Sequence, residues 1–114
     1  MPNKEKYSGF FEDGAKHGKG TWWLDHINEN TKIYSGNWSK GMMNGSGSMS
    51  YGKKSYYKGN FVNSQRQGKG ILYIDTEKFY YIGDFHNDQK HGIGRATVNG
   101  IEAHFGKWEN DEIC

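Results

Sequence analysis

A single short frame recurs down the chain: an aromatic residue, a glycine two places on, a second aromatic two places after that, and then a Gly-X-Gly pair. Tyr7-Ser-Gly9-Phe-Phe11 precedes Gly18-Lys-Gly20, and Tyr34-Ser-Gly36-Asn-Trp38 precedes Gly45-Ser-Gly47. Tyr57-Lys-Gly59-Asn-Phe61 precedes Gly68-Lys-Gly70, and Tyr81-Ile-Gly83-Asp-Phe85 precedes Gly92-Ile-Gly94. A partial fifth copy reads His104-Phe-Gly106-Lys-Trp108. The starts are 27, 23, 24 and 23 residues apart, and the longer first interval carries an insertion near His26–Asn30. Residues alternating at period two share one face of a strand. Turn-forming residues such as Asp13-Gly14 separate the two halves of each copy. Each copy therefore predicts one β-hairpin. Helix is disfavoured, because each interior glycine costs a helix about 1 kcal/mol relative to alanine.

Glycine also weakens a strand, so its regular presence requires a packing reason. The pattern predicts that aromatic rings lie over bare glycine backbone, with Gly36, Gly47, Gly59 and Gly70 beneath them. The alternation puts Tyr34, Trp38, Met49 and Tyr51 on one face of the second hairpin, and Ser35, Asn37, Ser39, Ser46, Ser48 and Ser50 on the other. Copies three and four break this division with Val62, Ile71, Tyr73, Ile82 and Ile93 on the polar side, which points to cover by a partner or a chain terminus.

Composition agrees with a thin fold. Hydrophobic residues make up only 33% of the 114, yet aromatics reach 16% and there are 17 glycines. A chain so rich in aromatics does not read as disordered. The only proline is Pro2, so nothing later forbids strand pairing. The reading is all-β: one domain over residues 1–114 forming a single-layer, elongated antiparallel sheet of tandem hairpins. The repeats fall at about 7–33, 34–56, 57–80 and 81–103, with a partial copy at 104–111. Helix is expected nowhere except in the insertion around 25–32.

The frame, repeated in register over residues 7 to about 111, is similar to the MORN (membrane occupation and recognition nexus) repeat. The hairpin-turn glycine is kept at Gly14 and Gly41 but replaced by Ser64, Asp88 and Asp111, and His104 stands where tyrosine is usual. These departures are expected to weaken individual turns. The resemblance implies a twisted sheet of successive hairpins, often with an aromatic-lined concave face. It also implies use as a protein-interaction scaffold in cytoskeletal, ciliary or membrane-junction assemblies, or as a phosphoinositide or anionic-membrane binding module.

Catalytic chemistry finds no support in the residues. Gly14-Ala-Lys-His-Gly18-Lys19-Gly20 has the wrong spacing for a phosphate-binding loop and lacks the Ser or Thr after lysine. His17 and His91 occupy equivalent places three repeats apart, roughly 29 Å at the strand spacing. His86 and His91 lack a cysteine or carboxylate cluster around them, so no metal is expected. The carboxylates Asp13, Asp25, Asp75, Asp84 and Asp88 are scattered, and the serines lack a Gly-X-Ser-X-Gly elbow. No cofactor is implied. The formal charge of +2 without a basic run argues against nucleic acid. The lone Cys114 allows no internal disulfide, and no signal peptide or membrane-length apolar stretch is visible, so a cytoplasmic setting, cytoskeletal or ciliary and not secreted, is expected.

Three contact surfaces follow as candidates. The strand holding Phe105 and Trp108 ends the array before a second strand of its hairpin, which predicts an unpaired edge open to a protein partner or a second copy, with Trp108 as buried anchor. Met42 and Met43 at a turn tip, with the aromatic surface of Tyr34, Trp38 and Tyr51, form the second. Lys16, Arg66 and Lys90 recur at matching turn positions as a thin basic line suited to weak contact with an anionic membrane.

Overall fold

The computed structural model describes residues 3–26 and 32–114 and places them in one open antiparallel sheet of ten strands in sequence order. The strands are β1 (Asn3–Glu12), β2 (Ala15–His26), β3 (Lys32–Ser39), β4 (Met42–Gly52) and β5 (Ser55–Val62). They continue as β6 (Gln65–Ile74), β7 (Phe79–His86), β8 (Gln89–Val98), β9 (Ile101–Glu109) and β10 (Glu112–Ile113). Each copy of the sequence frame is one hairpin. Two-residue turns close the five hairpins at Asp13-Gly14, Lys40-Gly41, Asn63-Ser64, Asn87-Asp88 and Asn110-Asp111, with both residues at positive φ. That is the type I′ geometry whose twist matches paired strands. Among the described residues there is no α-helix; a 3-10 turn at Asp75–Glu77 joins β6 to β7. Most of the insertion where a helix was allowed, residues 27–31, lies outside the described residues. The sheet is thin and long, 43 × 30 × 18 Å, with a radius of gyration of 15.1 Å against about 13 Å for a compact domain of this length.

The registers align the glycines into an unbroken column across nine strands. Gly9 faces Gly20, which faces Gly36, and the pairing continues through Gly47, Gly59, Gly70, Gly83 and Gly94 to Gly106. The tyrosine two places before the first glycine of each hairpin lies flat over this column. A Cβ added at Gly20, Gly47, Gly70 or Gly94 would overlap the ring of Tyr7, Tyr34, Tyr57 or Tyr81 of the same hairpin. At Gly36, Gly59 and Gly83 it would strike the tyrosine hydroxyl and the backbone of the facing glycine as well. The first glycine of the Gly-X-Gly pair has a different duty. Gly68, at φ +82°, sits opposite a bulge where the register shifts between Gly59 and Phe61, a backbone conformation open chiefly to glycine.

The bulges explain why the ring is tyrosine. The hydroxyls of Tyr7, Tyr34, Tyr57 and Tyr81 donate to the carbonyls of Phe10, Asn37, Asn60 and Asp84, the residues skipped by the shift, at 2.8–3.0 Å. The rings also meet the following aromatics edge to face. Tyr34 touches Trp38 of its own hairpin and Phe61 of the next, both with centroids 5.1 Å apart; Tyr57 does the same with Phe61 and Phe85. Such pairs add about 0.5–1.5 kcal/mol each beyond area burial. Tyr34, Tyr57 and Tyr81 are fully buried although the sheet has one layer.

Two expectations about the turns and the chain end are corrected. Ser64, Asp88 and Asp111 in place of glycine do not merely weaken their turns. Their side chains accept from the backbone N–H groups of Met43, Arg66 and Lys90 in the preceding hairpin, at 3.1, 3.1 and 2.8 Å. Alongside, their own N–H groups donate back to the carbonyls of those residues. The cost of a non-glycine at positive φ is thus set against a bond that ties neighbouring hairpins. The last hairpin also has a second strand: β10 pairs Ile113 with Trp108, and the Cys114 N–H donates to the Lys107 carbonyl at 3.1 Å. That carbonyl is the counterpart of the ones the tyrosines use. His104, over Gly106, is left with a buried Nε2 that has no partner among the described residues.

Replacing Gly70 by alanine forces a methyl into the Tyr57 ring and should cost about 3 kcal/mol, the upper part of the overpacking range. Tyr57→Phe should cost about 1 kcal/mol by removing one hydrogen bond. Thermal unfolding of both variants checks the ranking, and an unchanged melting temperature for Gly70→Ala contradicts the packing. Burial pushes the phenols of Tyr34, Tyr57 and Tyr81 up to about 12, their carbonyl bonds opposing the shift only in part. In the unfolded chain these groups ionise near 10, so the stability they lend is complete below pH 10 and is lost as pH rises towards 12. Absorbance titration of the eight tyrosines should show three ionising together with loss of strand circular dichroism. Independent ionisation of all eight near pH 10 contradicts it.

Candidate functional site

The aromatic residues expected to meet a partner are mostly spent inside the sheet's own packing. Tyr34 is fully buried, and Trp38 and Trp108 are 7% and 5% exposed. The Trp38 and Trp108 indole N–H groups donate to the carbonyls of Gly20 and Gly94, at 3.1 and 3.2 Å. Trp108 therefore closes the ring ladder between Tyr81 and His104 instead of standing ready as an anchor. Phe105, grouped with it in sequence, lies on the opposite face and is 57% exposed. The edge of β9 is open only in part, since β10 covers its last two residues. Met43 packs against the core, Met42 is exposed, and Tyr51 is half-buried beside Arg66, with burial raising its phenol's pKa.

The basic line is also relocated. Lys16, Met43, Arg66 and Lys90 each pair with the second aromatic of their hairpin, which places them on the tyrosine face and not along a free edge. The Lys16 ammonium lies 5.5 Å from the Tyr7 and Trp38 rings. The Arg66 guanidinium covers Phe85 and Tyr57 at 5.2 and 5.8 Å, and Lys90 covers Phe79, Trp108 and Tyr81 at 5.5, 5.6 and 6.0 Å. These cations cap ring faces, a contact of about 0.5–2 kcal/mol depending on desolvation. Arg66 and Lys90 are further held by Asp88 and Asp111 at 2.8 and 3.3 Å. Period and charge gave the row in sequence; the facing acidic turn residues were the missed signal.

The reverse face is the surface left uncovered by the described residues. Shallow troughs run there across the strands, with glycine backbone as the floor and side chains one place before and one place after each glycine as the walls. Over β2–β4 the walls are Thr21, Ser35 and Ser48 on one side and Lys19, Asn37 and Ser46 on the other. Thr21 and Ser35 share a hydrogen bond, and the Asn37 amide donates to Ser46. Over β5–β9 the character changes to Ile71, Ile82, Ile93 and Phe105, with Lys58 and Lys69 beside them, around a volume of about 490 Å³. Lys69 pairs with Asp84, which lowers the Asp84 pKa, and Arg95 pairs with Glu102 at 2.9 Å while lying over the Phe105 ring. Tyr56, Tyr73 and Tyr80 stack alongside, with centroids 5.6 and 4.4 Å apart. Sequence alternation had put Val62, Ile71, Tyr73, Ile82 and Ile93 on this side, and the same parity in the fifth copy puts Phe105 there, where β9 carries the register onward.

His86 and His91 approach to 5.6 Å between rings, with Gln67 hydrogen-bonded to His86, and His17 pairs with Glu12. Among the described residues no three metal-ligating side chains come together.

Comparison with known proteins agrees with this architecture. The model of the MORN repeat family matches residues 7–25, 34–56, 57–75 and 81–97. Over 72 residues, or 62% of its length, the chain is 33% identical to Alsin from Homo sapiens and from Pan troglodytes, and equally so to that from Mus musculus. The match spans 4% of the length of these relatives. The repeated hairpin frame, the aligned glycine column and the four family matches converge: this chain belongs to the MORN repeat family.

Proposed function

We propose that the chain is a non-catalytic scaffold that binds another protein, as a subunit of a larger cytoplasmic assembly of cytoskeletal, ciliary or membrane-associated kind. The observation that carries this reading is the exposure of Ile82, Ile93 and Phe105 at 53, 46 and 57% on one continuous face. Contiguous apolar surface of this kind marks a contact site. The open part of the β9 edge, residues 101–106, and exposed Met42 offer further contacts, including one to a second copy of the chain. MORN repeats occur in both protein-binding and membrane-binding scaffolds. Lipid binding has the weaker support, because Lys16, Arg66 and Lys90 lie over rings and the last two are already paired with carboxylates. Three such residues add at most about 1 kcal/mol each at an anionic surface.

Affinity capture on the full chain with mass spectrometry should return a defined protein, and co-sedimentation with phosphatidylserine or phosphoinositide vesicles at physiological salt should leave the chain in the supernatant. Salt-sensitive sedimentation with anionic vesicles, without a captured protein, would reverse the order of the two readings.

A further inference from the structure

We propose that the reverse-face trough over β5–β9 is a groove for an amphipathic α-helix with acidic flanks on a protein partner, an inference that rests on the scaffold reading above. The shape sets the first constraint. The trough runs across the strands, so an occupant lying in it cannot pair with the sheet backbone as an added strand would. Ile71, Ile82 and Phe105 form one wall and Ile93 stands on the other, above the bare backbone of Gly70, Gly83 and Gly94. Four strand spacings from β5 to β9 span roughly 19 Å. A helix of about 13 residues covers that length, and its 5.4 Å pitch runs close to the strand spacing of about 4.8 Å, so one apolar side chain per turn meets the wall residues.

Charge sets the second constraint. Lys58, Lys69, Arg95 and Lys107 border the trough on this face, against Asp84 and Glu102. Both carboxylates are engaged by Lys69 and Arg95. The excess is positive and favours acidic residues beside the apolar stripe. The polar trough over β2–β4 offers no apolar drive, so the contact ends at the third repeat.

The probe is a fluorescein-labelled synthetic helix of about 14 residues, with leucines at three- and four-residue spacing, glutamates on the flanks and alanine elsewhere, titrated against the full chain by anisotropy. Saturable binding is expected, weakened about tenfold or more by the Ile82→Ser/Phe105→Ser pair, the scale of losing two apolar contacts. Exposed Phe10→Ser, on β1 and outside the trough, should leave it unchanged, and a probe with lysine for glutamate should bind more weakly. Both groove positions are more than half exposed, so the paired variant should keep its strand circular dichroism and melting temperature. Equal binding by a probe with its leucines scrambled, or by the paired variant, overturns the proposal. So does sedimentation with phosphatidylserine vesicles that the paired variant abolishes, since the trough is then a membrane contact. A captured protein that the paired variant still retains defeats the groove alone, whereas capture of no protein at all defeats the scaffold reading beneath it.

Discussion

The contact on which the structure depends is a tyrosine ring laid over bare glycine backbone with its hydroxyl on a bulge carbonyl. A one-layer sheet has no second layer to bury its side chains against. The rings solve this by lying down: removing every Cβ along one column makes room for a flat phenol, and the next aromatic seals its edge. Tyr34, Tyr57 and Tyr81 reach full burial in this way. The bulge, the left-handed glycine opposite it and the phenol bond form one unit, because the shift that creates the bulge also presents the carbonyl that tyrosine, and not phenylalanine, can use.

This explains how much of the molecule was legible before the structure. Period two, the glycine spacing and the turn residues gave the hairpins and their order, because those signals are local and recur. The rings over Gly47 and Gly70 followed from the need to justify a strand glycine. What parity separates, and the grouping of Phe105 with Trp108 as one edge did not, is an aromatic that completes the ladder from one that faces outward. Trp108 and Phe105 are three residues apart with similar chemistry, yet opposite parity sends one to the core and the other to the surface. The same holds for Arg66: its position in a row of cations was readable, but its seat on Phe85 and its bond to Asp88 depend on a neighbour 22 residues away.

The two faces consequently divide their roles. The tyrosine face holds the sheet together, and its cations belong to that packing. The reverse face is free of such duty and varies along the array, from hydroxyl and amide groups over β2–β4 to isoleucine and phenylalanine over β5–β9. Repetition thus fixes one side for architecture and leaves the other to diversify repeat by repeat.

The ring contacts also decide how the array behaves as a physical object. Tyr34 lies as close to Phe61 in the next hairpin as to Trp38 in its own, 5.1 Å in both cases, and Tyr57 repeats the equality. Among the described residues, these ring contacts are as close between units as within them. In a one-dimensional lattice of this kind, coupling between neighbours comparable to the internal cohesion of each makes the correlation length exceed the chain. A disturbance at one hairpin is then shared by all of them, and the sheet bends, breathes and melts as one elastic ribbon rather than as beads on a string.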